Sequence, residues 1–219
     1  MNLTQYDAYF FDLDGTLIDS SGDLADAINQ VRSLQNLSQL THQEVEAGVG
    51  HGASALIKHC FPQALPEHLP ELRNAFTRAY GSQLCKHTYA YAHVEDVLHY
   101  LKNQPQVKLA LITNKPSRFA MPLLKALGWS ELFDLYLYGD SLAERKPSSL
   151  PITHALQHFN LEAHQALFIG DTEVDAQAAT SAQVPLAIVA WGRAAKAVTD
   201  GTYGTQTQVV EFKDFLTKA

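Results

Sequence analysis

The sequence is short of cysteine, of positive charge and of long apolar runs. Its two cysteines, Cys60 and Cys85, are too few for a disulfide framework, so free thiols in a reducing compartment are expected. No run approaches the ~18 apolar residues of a membrane helix. The opening Met1-Asn2-Leu3-Thr4-Gln5-Tyr6-Asp7 has neither the basic end nor the apolar centre of a signal peptide. A cytoplasmic protein with no membrane partner is the expectation. Sixteen Lys and Arg against 23 Asp and Glu leave a net charge of -7, which argues against a nucleic-acid partner but not against a local anion site. Charged residues are only 18% and hydrophobic ones 46%, a balance that supports a real core and not a disordered chain. The 219 residues contain no repeat or low-complexity tract and suffice for one ordinary domain plus an insertion.

What is present is a stretch in which an apolar run ends in acids: Tyr9-Phe10-Phe11-Asp12-Leu13-Asp14-Gly15-Thr16. Residues 8–11 are short, aromatic and not alternating, as expected of a strand buried on both faces of a parallel sheet. Ligands of such sheets bind outside the carboxyl ends of the strands. Asp12 and Asp14 would sit there, and their i, i+2 spacing in extended chain points both at one ligand. A solvated Asp-Gly turn explains Asp14-Gly15 but not Asp12 at the end of a buried strand.

Residues 19–88 read as all helical, with helices over 19–34, 53–60 and 66–83, a cap at Ser20 or Ser21, a capping box at Thr41 and Glu44, and a glycine turn at 48–52. From Val94 the pattern alternates. Helices are expected at 94–102, 117–127, 150–159 and 175–182, strands at 108–113, 135–138, 166–169 and 184–190, a loop at 199–208 and a terminal helix at 212–216. Such alternation predicts an α/β core with a parallel sheet.

Three later stretches carry chemistry. Thr113-Asn114 follows an apolar strand and offers a hydroxyl and an amide. Lys146-Pro147 places a cation that would hold phosphate as a point charge, with Arg145 beside it read as surface. Gly170-Asp171 ends another strand, with Asp175 four residues on; carboxylates there suit a hard divalent cation, although Asp175 also suits a helix N-terminus. His154 and His158 would share a helix face but have no third ligand in sequence reach, so a histidine metal centre is not expected.

Asp12-Leu13-Asp14-Gly15-Thr16, Thr113-Asn114, Lys146-Pro147 and Gly170-Asp171-Thr172-Glu173-Val174-Asp175 resemble, in order and spacing, the four motifs of the haloacid dehalogenase superfamily. The helical block and its Gly48-Val49-Gly50-His51-Gly52-Ala53 turn are similar to the cap of the phosphoglycolate phosphatase-like subgroup. The resemblance implies a Rossmannoid core of residues 1–18 and 89–219 with an inserted helical cap of residues 19–88. It implies Asp12 as a nucleophile forming an aspartyl-phosphate and Asp14 as general acid and base. Mg2+ would be held by Asp12, the Asp14 carbonyl and Asp171, with Asp175 in support. Thr113, Lys146 and the N–H groups of Leu13 and Asn114 would hold the phosphoryl oxygens. The expected partner is a small phosphorylated substrate, with 2-phosphoglycolate first; substrate choice would lie with the cap, where Gly50 and His51 are candidates. A phosphomutase of the β-phosphoglucomutase type is the alternative, and a non-enzymatic phospho-acceptor a remote one. A phosphonatase would need a cap lysine, for which only Lys58 precedes Lys86.

Overall fold

The computed structural model describes residues 5–203 and 207–216. In chain order, β1 (Ala8–Phe11) and β2 (Ile18–Asp19) lead into α1 (Ser21–Leu34), α2 (His42–Glu46), α3 (Ala53–Cys60) and α4 (Leu69–Gly81). The chain returns through β3 (Tyr89–Ala90) and α5 (Val94–Lys102). It then alternates as β4 (Lys108–Ile112), α6 (Ser117–Ala126), β5 (Leu135–Leu137), α7 (Leu150–Phe159), β6 (Ala166–Gly170), α8 (Glu173–Ser181) and β7 (Leu186–Val189). It closes with α9 (Ala195–Thr199), β8 (Thr207–Val210) and α10 (Lys213–Leu216).

β1 is buried over its whole length and lies inside a six-stranded parallel sheet of order β5-β4-β1-β6-β7-β8. The side chains alternate across it, as the pleat requires. Tyr9 and Phe11 join Leu111 and Ile169 under α5, α6 and α10, while Ala8 and Phe10 join Ile112 and Phe168 under α7 and α8. Both faces are covered, which is why the strand reads as a continuous apolar run. Phe11 is level with Leu111 on one side and Ile169 on the other. The residues that follow β1, β4 and β6 therefore emerge side by side at one edge.

The inserted helices have their own core. Ile28, Leu56, Phe76 and Tyr80 cluster there, and Phe119 of α6 is part of the cluster, its ring 5.0 Å edge-on from Tyr80. The chain leaves for this layer and returns from it through the antiparallel β2–β3 ribbon.

Several boundaries differ from expectation. Asp19 belongs to the ribbon, so α1 starts at Ser21. Ser20 stands at the N-cap without capping, because its hydroxyl donates to Asp14 Oδ1 at 2.5 Å. The expected helix over 66–83 is a 3-10 turn, Pro66–His68, followed by α4. The helix expected from Asp175 begins at Glu173, capped by Thr172. The stretch 199–208, read as loop, contains the start of β8. As an edge strand β8 shows little of the apolar signature of the central ones, and its pairing with β7 is a tertiary event. The helix α9 was likewise not anticipated.

Candidate active site

The aligned strand ends place the acids. The Asp12 N–H donates to the Ile169 carbonyl at 3.0 Å, extending the β1–β6 ladder by one residue and fixing the Asp12 backbone beside Gly170-Asp171. The chain then turns at Gly15, φ +88°, where a Cβ would run into the Asp171 carboxylate. Glycine is required here by conformation and by space. The Thr16 hydroxyl donates to Asp171 Oδ1 at 3.1 Å, and the Trp191 indole N–H to the Gly15 carbonyl at 2.9 Å.

Asp12, Asp171 and Asp175 converge, each offering a carboxylate oxygen within 4.8 Å of the others, and all three are buried. Lys146, 2% exposed, bridges two of them, with Nζ 2.7 Å from Asp12 Oδ1 and 2.7 Å from Asp175 Oδ1. Asp175 Oδ2 accepts from the N–H groups of Asp171 and Thr172 and from the Thr172 hydroxyl. It is at once the capping-box acid of α8 and the anchor of the motif loop.

Three carboxylates against one ammonium leave an excess of buried negative charge. Burial pushes the Asp12 carboxyl up to about 7; Lys146 pulls against this and Asp175 adds to it. Asp171 is held well above the carboxylate range by burial, then by Asp175 and Asp12. Asp175 stays low because Lys146 and Thr172 outweigh its burial, and Lys146 is raised by Asp12 and Asp175 against its burial. An all-oxygen donor set with uncompensated charge fits a hard divalent cation and does not resemble a zinc or copper set.

Asp14 faces elsewhere. Its Oδ1 accepts from Ser20 and lies 2.8 Å from the Lys115 ammonium, so the side chain stands apart from the carboxylate cluster. The i, i+2 expectation is modified: Asp12 and Asp14 line one cavity but pair with different lysines, because regular strand ends at Phe11. Leu13 is buried in the core, and its N–H lies against the Asp12 carboxylate. Thr113 and Asn114 also line the cavity. Asn114 Nδ2 donates to the carbonyls of Gly50 and Lys146 at 2.9 and 2.8 Å, and its buried Oδ1 has no partner among the described residues.

The cavity, about 60 Å³, lies between the sheet edge and the helical layer. Leu24, Leu56, Phe76 and Tyr80 line the helical side, Lys115 and Phe119 the core side. Gly50 borders it, while His51 and Lys58 are exposed and do not. Arg145 is exposed, as expected, with its guanidinium over Gly52.

Sequence reasoning missed Lys115, which is buried; a lysine directly after a strand-end Thr-Asn pair was the available signal. It also missed Arg193, which donates to the carbonyls of Glu46 and Val49 at 3.0 and 2.7 Å. Nothing local marks Arg193, since its partners are backbone atoms more than a hundred residues away.

The haloacid dehalogenase-like hydrolase family matches residues 9–189. The chain is similar to the phosphoglycolate phosphatase of Chromobacterium violaceum, 34% identical over 224 residues and 99% of each chain. It is 37% identical over 193 residues, 84% of each chain, to the phosphoglycolate phosphatase of Colwellia psychrerythraea. A crystal structure from Haemophilus somnus 129pt, described as a predicted phosphoglycolate phosphatase, matches with a TM-score of 0.87 at 31% identity over 98% of both chains. Motifs, sheet and relatives agree, and the chain belongs to the haloacid dehalogenase-like hydrolase family.

Proposed function

We propose that this hydrolase is a Mg2+-dependent phosphatase acting on a small phosphomonoester, 2-phosphoglycolate before others, through an aspartyl-phosphate on Asp12. The observation that carries the reading is the meeting of Asp12, Asp171, Asp175 and Lys146, with Asp12 itself lining a cavity that Asp14 also lines. The relatives' names support the substrate. Residues 19–88 serve as the cap and 1–18 with 89–219 as the catalytic core.

Asp12 attacks phosphorus, and the bond to the ester oxygen breaks. Asp14 supplies the proton to the departing alkoxide, then takes one from the water that attacks the aspartyl-phosphate, so that inorganic phosphate leaves and Asp12 is regenerated. Thr113, Lys146 and the Leu13 and Asn114 N–H groups hold the phosphoryl oxygens. Asp12, Asp171 and the Asp14 carbonyl, with Asp175 behind them, would hold Mg2+, which would supply the charge compensation that lets an anion approach an anion. The apolar cap helices keep bulk water from the intermediate.

The cavity has room for about four to six water-sized centres, the scale of a short leaving group. A hexose phosphate, the substrate of the mutase reading, would need a chamber opened well beyond this. The test is phosphate release from a panel of monoesters with Mg2+ and with EDTA. Release that requires Mg2+ and centres on 2-phosphoglycolate is expected; a hexose phosphate isomerised without net phosphate release would favour the mutase. Asp12→Asn, nearly isosteric, lowers turnover by about 10⁴-fold or more with the fold intact.

A further inference from the structure

Lys115 has no part in the phosphoryl cluster, yet it is a buried ammonium inside the reaction cavity. Its Nζ lies 2.8 Å from Asp14 Oδ1 and 5.0 Å from the centre of the Tyr80 ring. Tyr80 is 1% exposed and comes from α4, across the cavity from the sheet. Its hydroxyl is near enough to feel the ammonium but makes no hydrogen bond of good geometry among the described residues. A buried hydroxyl without a well-formed hydrogen bond is costly, and so is a buried cation with three donors whose one well-formed hydrogen bond among the described residues goes to Asp14 Oδ1. The other walls on this side, Leu24, Leu56, Phe76 and Phe119, are apolar and satisfy neither group.

We propose that Lys115 and Tyr80 form a carboxylate-binding pocket for the leaving group, so that the enzyme takes short phosphomonoesters whose alcohol portion carries a carboxylate. This rests on the phosphatase reading above. A carboxylate has oxygens enough to accept from the ammonium and the phenol together. A neutral leaving group would leave the phenol unpaired and gain nothing from the cation. Because Lys115 belongs to the core and Tyr80 to the cap, the same carboxylate joins the two layers when it binds. Bound there, it would add a contact to the packing that already joins the layers.

The test compares 2-phosphoglycolate with 2-hydroxyethyl phosphate, in which a hydroxymethyl group replaces the carboxylate. The readout is the ratio of kcat/KM for the two esters in wild-type, Lys115→Met, Lys115→Arg and Tyr80→Phe proteins. Wild type should favour 2-phosphoglycolate by on the order of 10²-fold. Lys115→Met should bring the ratio close to one, Lys115→Arg should restore most of it, and Tyr80→Phe should lower it several-fold. A Lys115→Met protein that loses both esters by the same factor would overturn the proposal, since Lys115 would then act on Asp14 alone. Binding of the two esters to Asp12→Asn protein, by calorimetry with and without Lys115→Met, gives the same ratio without turnover. If wild type hydrolyses neither ester, the phosphatase reading fails. A calorimetric preference that Lys115→Met abolishes would still support the pocket, and equal binding would overturn it.

Discussion

Asp12, Asp171 and Asp175 are ordinary acids made unusual by where the strands end. For Asp12 and Asp171 burial outweighs the cations available, and the carboxyls sit above their normal range. An acid whose folded value is raised keeps a proton that the unfolded chain has lost. For Asp12 the metal-free protein therefore loses stability as pH rises from about 4 to about 7, and Asp171 adds a loss of the same sign. Two outcomes follow at this scale. Asp171→Asn, which removes one like charge, should raise the Tm of metal-free protein at pH 8, by about 2–4 °C for each kcal/mol of repulsion relieved; a thermal melt in EDTA checks it, and an unchanged or lower Tm would contradict it. Under the proposed Mg2+ dependence, binding displaces those protons, so the affinity by calorimetry should be about tenfold weaker at pH 6 than at pH 8, with protons released on binding. The acids themselves were legible in the sequence, because two carboxylates after a buried run have no structural reason to be there. Their pairing was not: Asp14 with Lys115 and Asp12 with Lys146 depend on the turn that Gly15 makes, and an extended-chain rule does not describe a turn.

Among the elements, the loop between α2 and α3 is where cap meets core. The Arg193 guanidinium donates to the carbonyls of Glu46, the last residue of α2, and of Val49, and the Asn114 amide to that of Gly50. Hydrogen bonds from a charged group contribute roughly 1.5–3 kcal/mol when buried, and Arg193 is exposed, so the low end applies. Arg193→Ala should loosen the loop, raise KM by about tenfold and speed hydrogen exchange over residues 46–52; unchanged exchange there would show that the contact does not hold the loop closed. Asp23 fixes the other crossing. It is buried in α1 and accepts from the N–H groups of Lys86, His87 and Thr88 and from the Thr88 hydroxyl. Asp23→Ala strands these donors at about 1–3 kcal/mol for each that stays buried, and denaturant unfolding should show a loss of that order; no loss would mean water replaces the carboxylate. The strands and helices were largely legible, because periodicity and apolar runs are local. The Asp23 crossing was not, because its partners lie more than sixty residues along the chain; β8 and α9 were not, because four and five residues carry too little periodicity to read.

For the whole molecule, a twice-covered sheet carries the motif loops to one edge and the inserted helices close over them. Even the far end contributes: Phe212 stacks on Phe11 and Trp191, directly behind the motif strand. Phe212→Ala should cost about 3–5 kcal/mol of stability while leaving the four motifs chemically unchanged, so activity should fall with the folded fraction; a loss of turnover in fully folded protein would contradict this. The family and the hydrolase class could be read from four spaced motifs, since their order follows the order of the strands. The leaving-group pocket could not, as it joins α4 to the residue after Asn114. In the proposed mechanism a carboxylate oxygen of Asp12 takes the phosphoryl group. The most direct measurement is to quench the Mg2+-loaded enzyme with acid during turnover of 2-phosphoglycolate and map the modified peptide by mass spectrometry. A phosphoryl group on Asp12, absent from Asp12→Asn protein that has also lost turnover, is the predicted result. Phosphate released by wild type with no phosphoryl group on Asp12, or turnover retained by Asp12→Asn, would contradict it.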